Sequence, residues 1–227
     1  MLTPEQFLHM NFLAHCLLSH TTPQLLTGGM LGDFVKGALK DPYPPDVRAG
    51  ILLHRAIDRY TDAHARVHAS RARISPARRR FAGVLVDVFY DHFLACHWQS
   101  YSTVPLEQFT QQVYATLLPQ IADFPERLQR ILPRMAADDW LASYAEIESV
   151  DAALHGIARR LARFARHGRV PLLADGVQEL LRNYSELEQD FLEFFPELQR
   201  YVADETRLQL TAARVAAPVR RQQGTAG

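Results

Sequence analysis

The chain lacks the features that would assign it to a membrane or to an oxidising compartment. It has two cysteines in 227 residues, Cys16 and Cys96, which is too few for a disulfide framework. No apolar stretch approaches the roughly 20 residues of a membrane-spanning helix. The first residues show neither the basic lead nor the apolar run of a secretory signal. These absences predict a protein of the reducing cytoplasm that has no membrane partner.

The chain also lacks an excess of charge of either sign. It has 25 Lys and Arg against 25 Asp and Glu, so its bulk charge gives no reason to expect a nucleic acid as partner. Arginine is nevertheless concentrated locally, at Arg71, Arg73, Arg78, Arg79 and Arg80. We predict that this basic segment binds an anionic substrate or an acidic partner protein. The alternative is a solvated helix face.

Runs of alternating, β-branched strand sequence are absent as well, and helical periodicity dominates. The sequence predicts an all-α, single-domain helical bundle. The long predicted helices span 4–19, 46–64, 76–100, 136–167 and 172–201, with a short one at 30–38 and a loop at 21–24. Prolines 105, 119, 125 and 133 are expected to separate shorter helices.

The most informative pattern is a spacing of acidic and imidazole side chains. His54, Asp58 and Asp62 lie at i, i+4 and i+8, and Asp87 and Asp91 lie at i and i+4 about thirty residues later. Residues four apart share one helix face. Both segments otherwise resemble core helices, in which unpaired charge is costly. The spacing therefore predicts a metal site, with salt bridges from Arg55, Arg59 and Arg66 as the alternative.

Two further segments contribute candidate residues. Asn11 and His15 share a helix face, and Asp33 lies in the glycine-rich segment 28–37, where small residues allow close backbone approach. We expect Asp33 near a helix start. The segment lacks the Gly-Lys-Ser/Thr triplet of a phosphate-binding loop. Imidazole and carboxylate ligands without cysteine pairs favour a harder ion, Mn²⁺ or Mg²⁺, over a structural zinc.

Four ordered motifs, at 10–15, 31–37, 50–62 and 87–98, resemble the acyl carrier protein phosphodiesterase family. The resemblance implies an all-helical domain over residues 10–210, related to the HD phosphohydrolases. It leaves 1–9 as an N-terminal extension of the first helix and 211–227 as a frayed basic tail. The implied activity is Mn²⁺-dependent hydrolysis, with Mg²⁺ or Fe²⁺ as other ions, that removes 4′-phosphopantetheine from the serine of holo-acyl carrier protein.

The motifs and the resemblance together suggest roles for individual residues. We expect a metal shell of Asp33, Asp58, Asp91 and His92. His15 and His54 are expected to be further ligands or proton-transfer groups. Asp33 is expected to be catalytic as well, and Arg55 to bind the phosphate. The residues expected to orient the ligands are Asn11, Asp62, Asp87 and His97.

Two other functions stay open on the sequence alone. The same metal machinery would also suit an HD-type nucleotide phosphohydrolase. A non-catalytic helical module would instead bind an acidic partner through the arginines, with the acids serving only as ion-pair partners. The sequence does not indicate an oligomeric state.

Overall fold

The computed structural model describes residues 11–39, 43–162 and 171–216. These residues form α-helices joined by turns and short 3₁₀ segments, with no strand among them, which confirms the all-α prediction. Most of their buried apolar side chains belong to one continuous core, in agreement with a single domain. Within the described ranges, no helix combines the length and the apolarity needed to cross a membrane. The predicted extension 1–9 lies outside the described residues.

The helices are, in chain order, α1 (Phe12–Ser19), α2 (Pro23–Leu31), α3 (Pro45–Ala63), α4 (Ala65–Arg73), α5 (Ala82–Cys96), α6 (Leu106–Leu117), α7 (Glu126–Ala137), α8 (Trp140–Ser143), α9 (Ile147–Ala162), α10 (Pro171–Ala174), α11 (Val177–Arg182) and α12 (Tyr184–Ala216). Helix α12 contains Pro196 and continues through 211–216, the first residues of the predicted tail. The rest of that tail, 217–227, lies outside the described residues.

Local signals account for the start of α2 and for the bounds of α3. The Thr22 side chain accepts a hydrogen bond from Leu25 N, and Pro23 occupies the first helical turn. The predicted loop at 21–24 is therefore wrong at Pro23, which begins a helix. Helix α3 begins at Pro45 and ends at Ala63, so its predicted span of 46–64 is confirmed to within one residue.

Three other predicted boundaries are wrong, one of them because a tertiary contact replaces the local signal. The 30–38 helix is absent, since α2 ends at Leu31 and Gly37 has a φ of 76°. The 76–100 helix begins only at Ala82, because Ser75 donates to Glu179 of α11 from its hydroxyl and from its backbone N–H. Pro133 lies inside α7 and does not separate helices.

The two long C-terminal helices are also interrupted. Residues 136–167 divide between α7, α8 and α9. Asp139 has a φ of 41°, which interrupts the helix after α7. Its side chain accepts a hydrogen bond from Ala142 N and so caps the start of α8. Residues 163–167 lie outside the described part of the chain. The predicted 172–201 helix is divided between α10, α11 and α12.

Close helix packing brings α2, α3 and α12 together. A Cβ on Gly28 would lie 2.1 Å from Val47 O, and one on Gly50 would lie 2.4 Å from Leu25 O, so only glycine fits at this crossing. On its other side α3 packs along α12, where Tyr60 and Tyr201 stack with ring centroids 4.4 Å apart. Helix α3 is therefore held from two sides.

Candidate active site

Three side chains from α1 and α3 converge on one point. Asp58 Oδ1 lies 3.2 Å from His15 Nε2, and Asp58 Oδ2 lies 3.4 Å from His54 Nε2. One ligand atom from each of the three residues lies within 4.8 Å of the other two, and no other group of three such side chains among the described residues meets this criterion. We call His15, His54 and Asp58 the metal cluster.

Asp33 lies beside the metal cluster. Its Oδ1 is 3.7 Å from His54 Nε2, and the residue is 8% exposed. It follows the C-terminal end of α2, after the cap residue Gly32. The expectation that Asp33 lies near a helix start is therefore wrong, although its expected place at the site is compatible with this geometry.

The backbone of α2 fixes the orientation of the His54 ring. His54 Nδ1 lies 2.8 Å from Gly29 O, and because a carbonyl oxygen only accepts, Nδ1 carries the proton and donates it. The other nitrogen, Nε2, is then the atom that faces Asp33 and Asp58. A Cβ at Gly32 would lie 2.1 Å from His54 Cγ, so glycine at this position makes room for the ring.

The two histidines stack, with ring centroids 3.7 Å apart and planes 17° apart. Each is only 2% exposed, whereas Asp58 is 21% exposed. Solvent therefore reaches the metal cluster mainly at Asp58. Asp33, at 8% exposed, lies between these extremes.

Burial and mutual charge shift the ionisation of the metal cluster. Burial alone raises the pKa of Asp58, but the contacts and charges of His15 and His54 outweigh it and hold that pKa well below its usual range. Burial lowers the pKa of His54, yet Asp58 and Asp33 together raise it overall. Burial, followed by the charge of His54, lowers the pKa of His15.

The donor atoms of this region fit a divalent ion. Within the described residues, His15 Nε2, His54 Nε2 and Asp33 Oδ2 are buried and have no hydrogen bond of acceptable geometry. Buried polar atoms without partners are rare and costly. Two imidazole nitrogens and the Asp58 carboxylate meet at one point, with the Asp33 carboxylate beside them, and this is a donor set that Mn²⁺ or Fe²⁺ accepts.

The structure gives Asp91 and His92 other contacts. Asp91 is fully buried, and its two carboxylate oxygens each accept a hydrogen bond of 2.9 Å, one from Leu13 N and one from Ala14 N. It thereby anchors the first turn of α1, the helix that carries His15. Burial raises the pKa of Asp91 well above its usual range.

His92 makes its described ring contacts with residues outside the metal cluster. Its Nδ1 donates to Tyr144 O at 2.8 Å, and its Nε2 lies 3.0 Å from the Tyr184 hydroxyl, so both nitrogens are engaged. Burial lowers the pKa of His92, which favours its neutral form. Neither Asp91 nor His92 belongs to the group of side chains brought within 4.8 Å.

The remaining predicted residues divide between the site and the surface. Asn11 and Asp87 are buried and line a small cavity next to the metal-cluster helices. Arg55 donates to Val35 O at 2.9 Å and so lies beside the turn that carries Asp33. Asp62 is 51% exposed and pairs with Arg71, and His97 lies 2.8 Å from Glu188, so the described contacts of these two are elsewhere.

Most of the basic segment is engaged with acids of this same chain. Arg71 pairs with Asp62, Arg73 with Asp190 and Arg78 with Glu179. Arg79 donates to the carbonyls of Ala72 and Ile74, and the Arg80 guanidinium lies 4.9 Å from the Phe81 ring centroid. Arg79 and Arg80 are exposed.

Two features of the site were missed by the sequence analysis. The Gly29 carbonyl selects the His54 tautomer, and no side-chain pattern signals a backbone acceptor. Arg127 of α7 lies over the Phe34 ring, at 5.3 Å from its centroid, and its charge interacts with Asp33. Arg127 lies outside the four motifs, so no sequence pattern singled it out as a site residue.

Comparison with known proteins places this geometry in context. A family model described as acyl carrier protein phosphodiesterase matches residues 10–198. Similar curated proteins of that name come from Serratia proteamaculans, at 38% identity over 86% of this chain and 98% of the relative, and from Klebsiella pneumoniae, at 35% identity over 84% and 96%. Another, from Escherichia coli, is 35% identical over 83% and 95%. No solved structure matches.

Proposed function

This chain belongs to the acyl carrier protein phosphodiesterase family, and from that premise we propose how its residues carry out the reaction. The enzyme hydrolyses the phosphodiester of holo-acyl carrier protein. Water adds to phosphorus, the bond from phosphorus to the serine oxygen breaks, and the products are apo-acyl carrier protein and 4′-phosphopantetheine. The convergence of His15, His54 and Asp58 with Asp33 alongside is the observation that supports this proposal.

The metal cluster, with Asp33, is the proposed holder of a divalent ion. When bound, the ion would neutralise the phosphodiester charge and lower the pKa of water toward ~7. Mn²⁺ is the proposed ion and Fe²⁺ the alternative, because two imidazole ligands make the site less suitable for Mg²⁺. The HD-like character of the bundle stays a prediction.

Each surrounding residue has a proposed task. His54 presents Nε2 because its Nδ1 proton is held by Gly29 O. Asp33, with its buried Oδ2 free of hydrogen bonds among the described residues, is placed to accept the proton that the attacking water loses. Arg55 adds positive charge beside the Asp33 turn, where the anionic phosphodiester approaches. Asp91 acts by holding the α1 backbone in place.

A substrate comparison tests the proposed function. Mn²⁺-loaded protein is incubated with holo-acyl carrier protein and, separately, with a panel of nucleotides, and the carrier protein is followed by mass spectrometry. We expect loss of the 4′-phosphopantetheine mass and no turnover of nucleotides. Hydrolysis of nucleotides alone would favour the HD-type nucleotide phosphohydrolase, and binding of carrier protein without turnover would favour the non-catalytic module.

A further inference from the structure

A small cavity lies where α1, α3, α5 and α12 meet, next to the helices that carry the metal cluster. Its volume is about 10 Å³, close to the smallest space that holds one water molecule. Asn11 at the start of α1, Thr61 of α3 and Asp87 of α5 give it a polar side. The side formed by α12 is apolar and consists of Phe191, Phe194, Phe195 and Leu198.

Asn11 brings an unusual acceptor to this cavity. It is the N-cap residue of α1, but its side chain does not cap the helix. An asparagine at this position ordinarily accepts from the N–H of the second or third helical residue. Here those two groups, Leu13 N and Ala14 N, donate to Asp91 instead. Asn11 is only 9% exposed, and no hydrogen bond from the described residues reaches its Oδ1.

Thr61 also lacks the usual partner of a helical threonine. The hydroxyls of Thr27, Thr116 and Thr211 each donate to the carbonyl four residues earlier in their own helix. Thr61 Oγ1 makes no such bond, and within the described ranges it is buried without any hydrogen bond. Asn11 and Thr61 thus line one cavity, each with a buried oxygen that has no described partner. Such oxygens are costly unless a donor reaches them.

We propose that this cavity binds one water molecule, which donates to Asn11 Oδ1 and forms a second hydrogen bond with the Thr61 hydroxyl. A water molecule suits both partners, because it donates to an amide oxygen and either donates to or accepts from a hydroxyl. A metal cation does not suit the cavity. Such an ion needs about six oxygen ligands, and the α12 side chains that line the cavity have none.

The water connects the two helices of the metal cluster. Asn11 O accepts a hydrogen bond of 3.2 Å from His15 N, and Thr61 lies one turn after Asp58 on α3. The water therefore holds α1 against α3, and with them the 3.2 Å separation of His15 Nε2 and Asp58 Oδ1. Asn11 and Thr61 become positioning residues of the metal cluster. This inference rests on the proposed function, because it concerns the same metal cluster.

Oxygen-17 relaxation dispersion of the solvent tests the water assignment without metal or turnover, because it counts long-lived buried waters. Thr61→Val keeps the side-chain shape but removes the hydroxyl, and Asn11→Leu removes the amide at similar volume. We expect each variant to hold one long-lived water fewer than the wild type, and Thr61→Ser, which keeps the hydroxyl, to retain it. An equal count in all of these proteins would overturn the assignment. A wild-type melting temperature that changes when Na⁺ replaces K⁺ at equal ionic strength would overturn it in favour of a cation.

Mn²⁺ affinity, measured by calorimetry, tests the positioning role. Loss of a group that orients metal ligands typically costs about 10- to 100-fold in affinity. We expect Thr61→Val to weaken Mn²⁺ binding by about tenfold, the lower end of that range, and Thr61→Ser to bind as the wild type does.

The matched control is Thr110→Val on α6. Thr110 is also a buried helical threonine, but its hydroxyl donates to Glu107 O and Asp139 Oδ2, and it lines neither the cavity nor the metal cluster. We expect Thr110→Val to lower the melting temperature and to leave Mn²⁺ affinity unchanged. A loss of Mn²⁺ affinity that is no larger in Thr61→Val than in Thr110→Val would overturn the positioning role.

Turnover of holo-acyl carrier protein separates this inference from the proposed function. With both correct, the wild type is active, and at limiting Mn²⁺ Thr61→Val loses kcat/KM in proportion to its Mn²⁺ affinity. An active wild type whose water count and Mn²⁺ affinity equal those of Thr61→Val and Asn11→Leu would overturn the inference and leave the proposed function standing. An Mn²⁺-loaded wild type that never hydrolyses holo-acyl carrier protein would overturn the proposed function, whereas the relaxation measurement alone decides the water assignment.

Discussion

Gly32 shows how a residue without a side chain shapes the metal cluster. The His54 ring occupies the space that a side chain at position 32 would need. With Nδ1 held by Gly29 O, the ring has no freedom to move aside without losing that hydrogen bond. The orientation of His54 therefore depends on two backbone positions of α2 as well as on its own helix.

Gly32→Ala should displace the His54 ring. Because the added Cβ would lie 2.1 Å from His54 Cγ, we expect kcat to fall at least tenfold, which is about 1.4 kcal/mol of transition-state stabilisation. Mn²⁺ affinity, measured by calorimetry, should weaken in parallel. Gly83→Ala, whose new Cβ meets only ordinary contacts, is the control. Unchanged Mn²⁺ affinity and turnover in Gly32→Ala would show that the His54 orientation does not matter.

Asp33→Asn should remove hydrolysis while leaving the fold intact. Asparagine keeps the shape of the side chain but loses the charge that a metal ligand or a proton acceptor needs. The measurement is the conversion of holo- to apo-acyl carrier protein, with circular dichroism as the check on folding. Turnover near that of the wild type in a folded variant would remove Asp33 from the site.

At the scale of elements, local signals predicted some helices well and others poorly. The bounds of α3 could be predicted because Pro44, Pro45 and the amphipathic run after them are all local. The start of α5 could not, because Ser75 binds Glu179, a residue 104 positions away. Asp91 likewise lies four residues after Asp87, the spacing from which a metal ligand was predicted. Its carboxylate accepts hydrogen bonds from the first turn of α1. Spacing identifies a common face but does not show which partner that face meets.

The buried Glu179 that ties α11 to the start of the basic segment predicts a pH dependence of stability. Burial raises its pKa, but hydrogen bonds from Ser75 and the ion pair with Arg78 outweigh burial and hold it below its usual value. For an acid with a lowered folded-state pKa, the stabilisation is present above the unfolded-state pKa of about 4.3 and is lost as pH falls through the folded-state value.

Glu179→Gln should therefore destabilise the protein at pH 7 by on the order of 3 kcal/mol, because it removes the buried carboxylate charge that pairs with Arg78 and accepts hydrogen bonds from Ser75. The difference in free energy of unfolding between wild type and variant should shrink as pH falls below about 4. Urea titrations at several pH values measure it. A difference that stays constant between pH 7 and pH 3 would contradict the assignment.

The basic segment predicts an effect on the encounter with carrier protein. Its exposed members are Arg73, which pairs with Asp190, and Arg79 and Arg80, which contact backbone carbonyls and the Phe81 ring. A carrier protein of this kind is expected to be acidic, so Arg79 and Arg80 are the members to test. Reversing both charges should raise the KM for holo-acyl carrier protein more than it lowers kcat, and should flatten the salt dependence of kcat/KM. Arg130→Glu with Arg207→Glu, the same charge change at other exposed positions, is the control. An unchanged salt profile would place the docking surface elsewhere.

At the scale of the whole molecule, the site forms only when distant helices assemble. His15 comes from α1, His54 and Asp58 from α3, and Asp33 from the turn after α2. The sequence predicted these four residues from its motifs, whereas the contacts of His92 with Tyr144 and Tyr184 are created only by the fold. Metal binding and global stability should therefore be linked.

The central claim is that the metal cluster binds an ion required for hydrolysis. The most direct test is an Mn²⁺ titration of metal-free wild type and Asp58→Asn, in which holo- to apo-acyl carrier protein conversion and the melting temperature are measured on the same samples. In the wild type, both should rise together, with a stabilisation of about 2.7 kcal/mol at a hundredfold excess over the dissociation constant. In Asp58→Asn, both responses should be blunted. Full activity of the metal-free wild type, or an Mn²⁺ response in Asp58→Asn equal to that of the wild type, would contradict the claim.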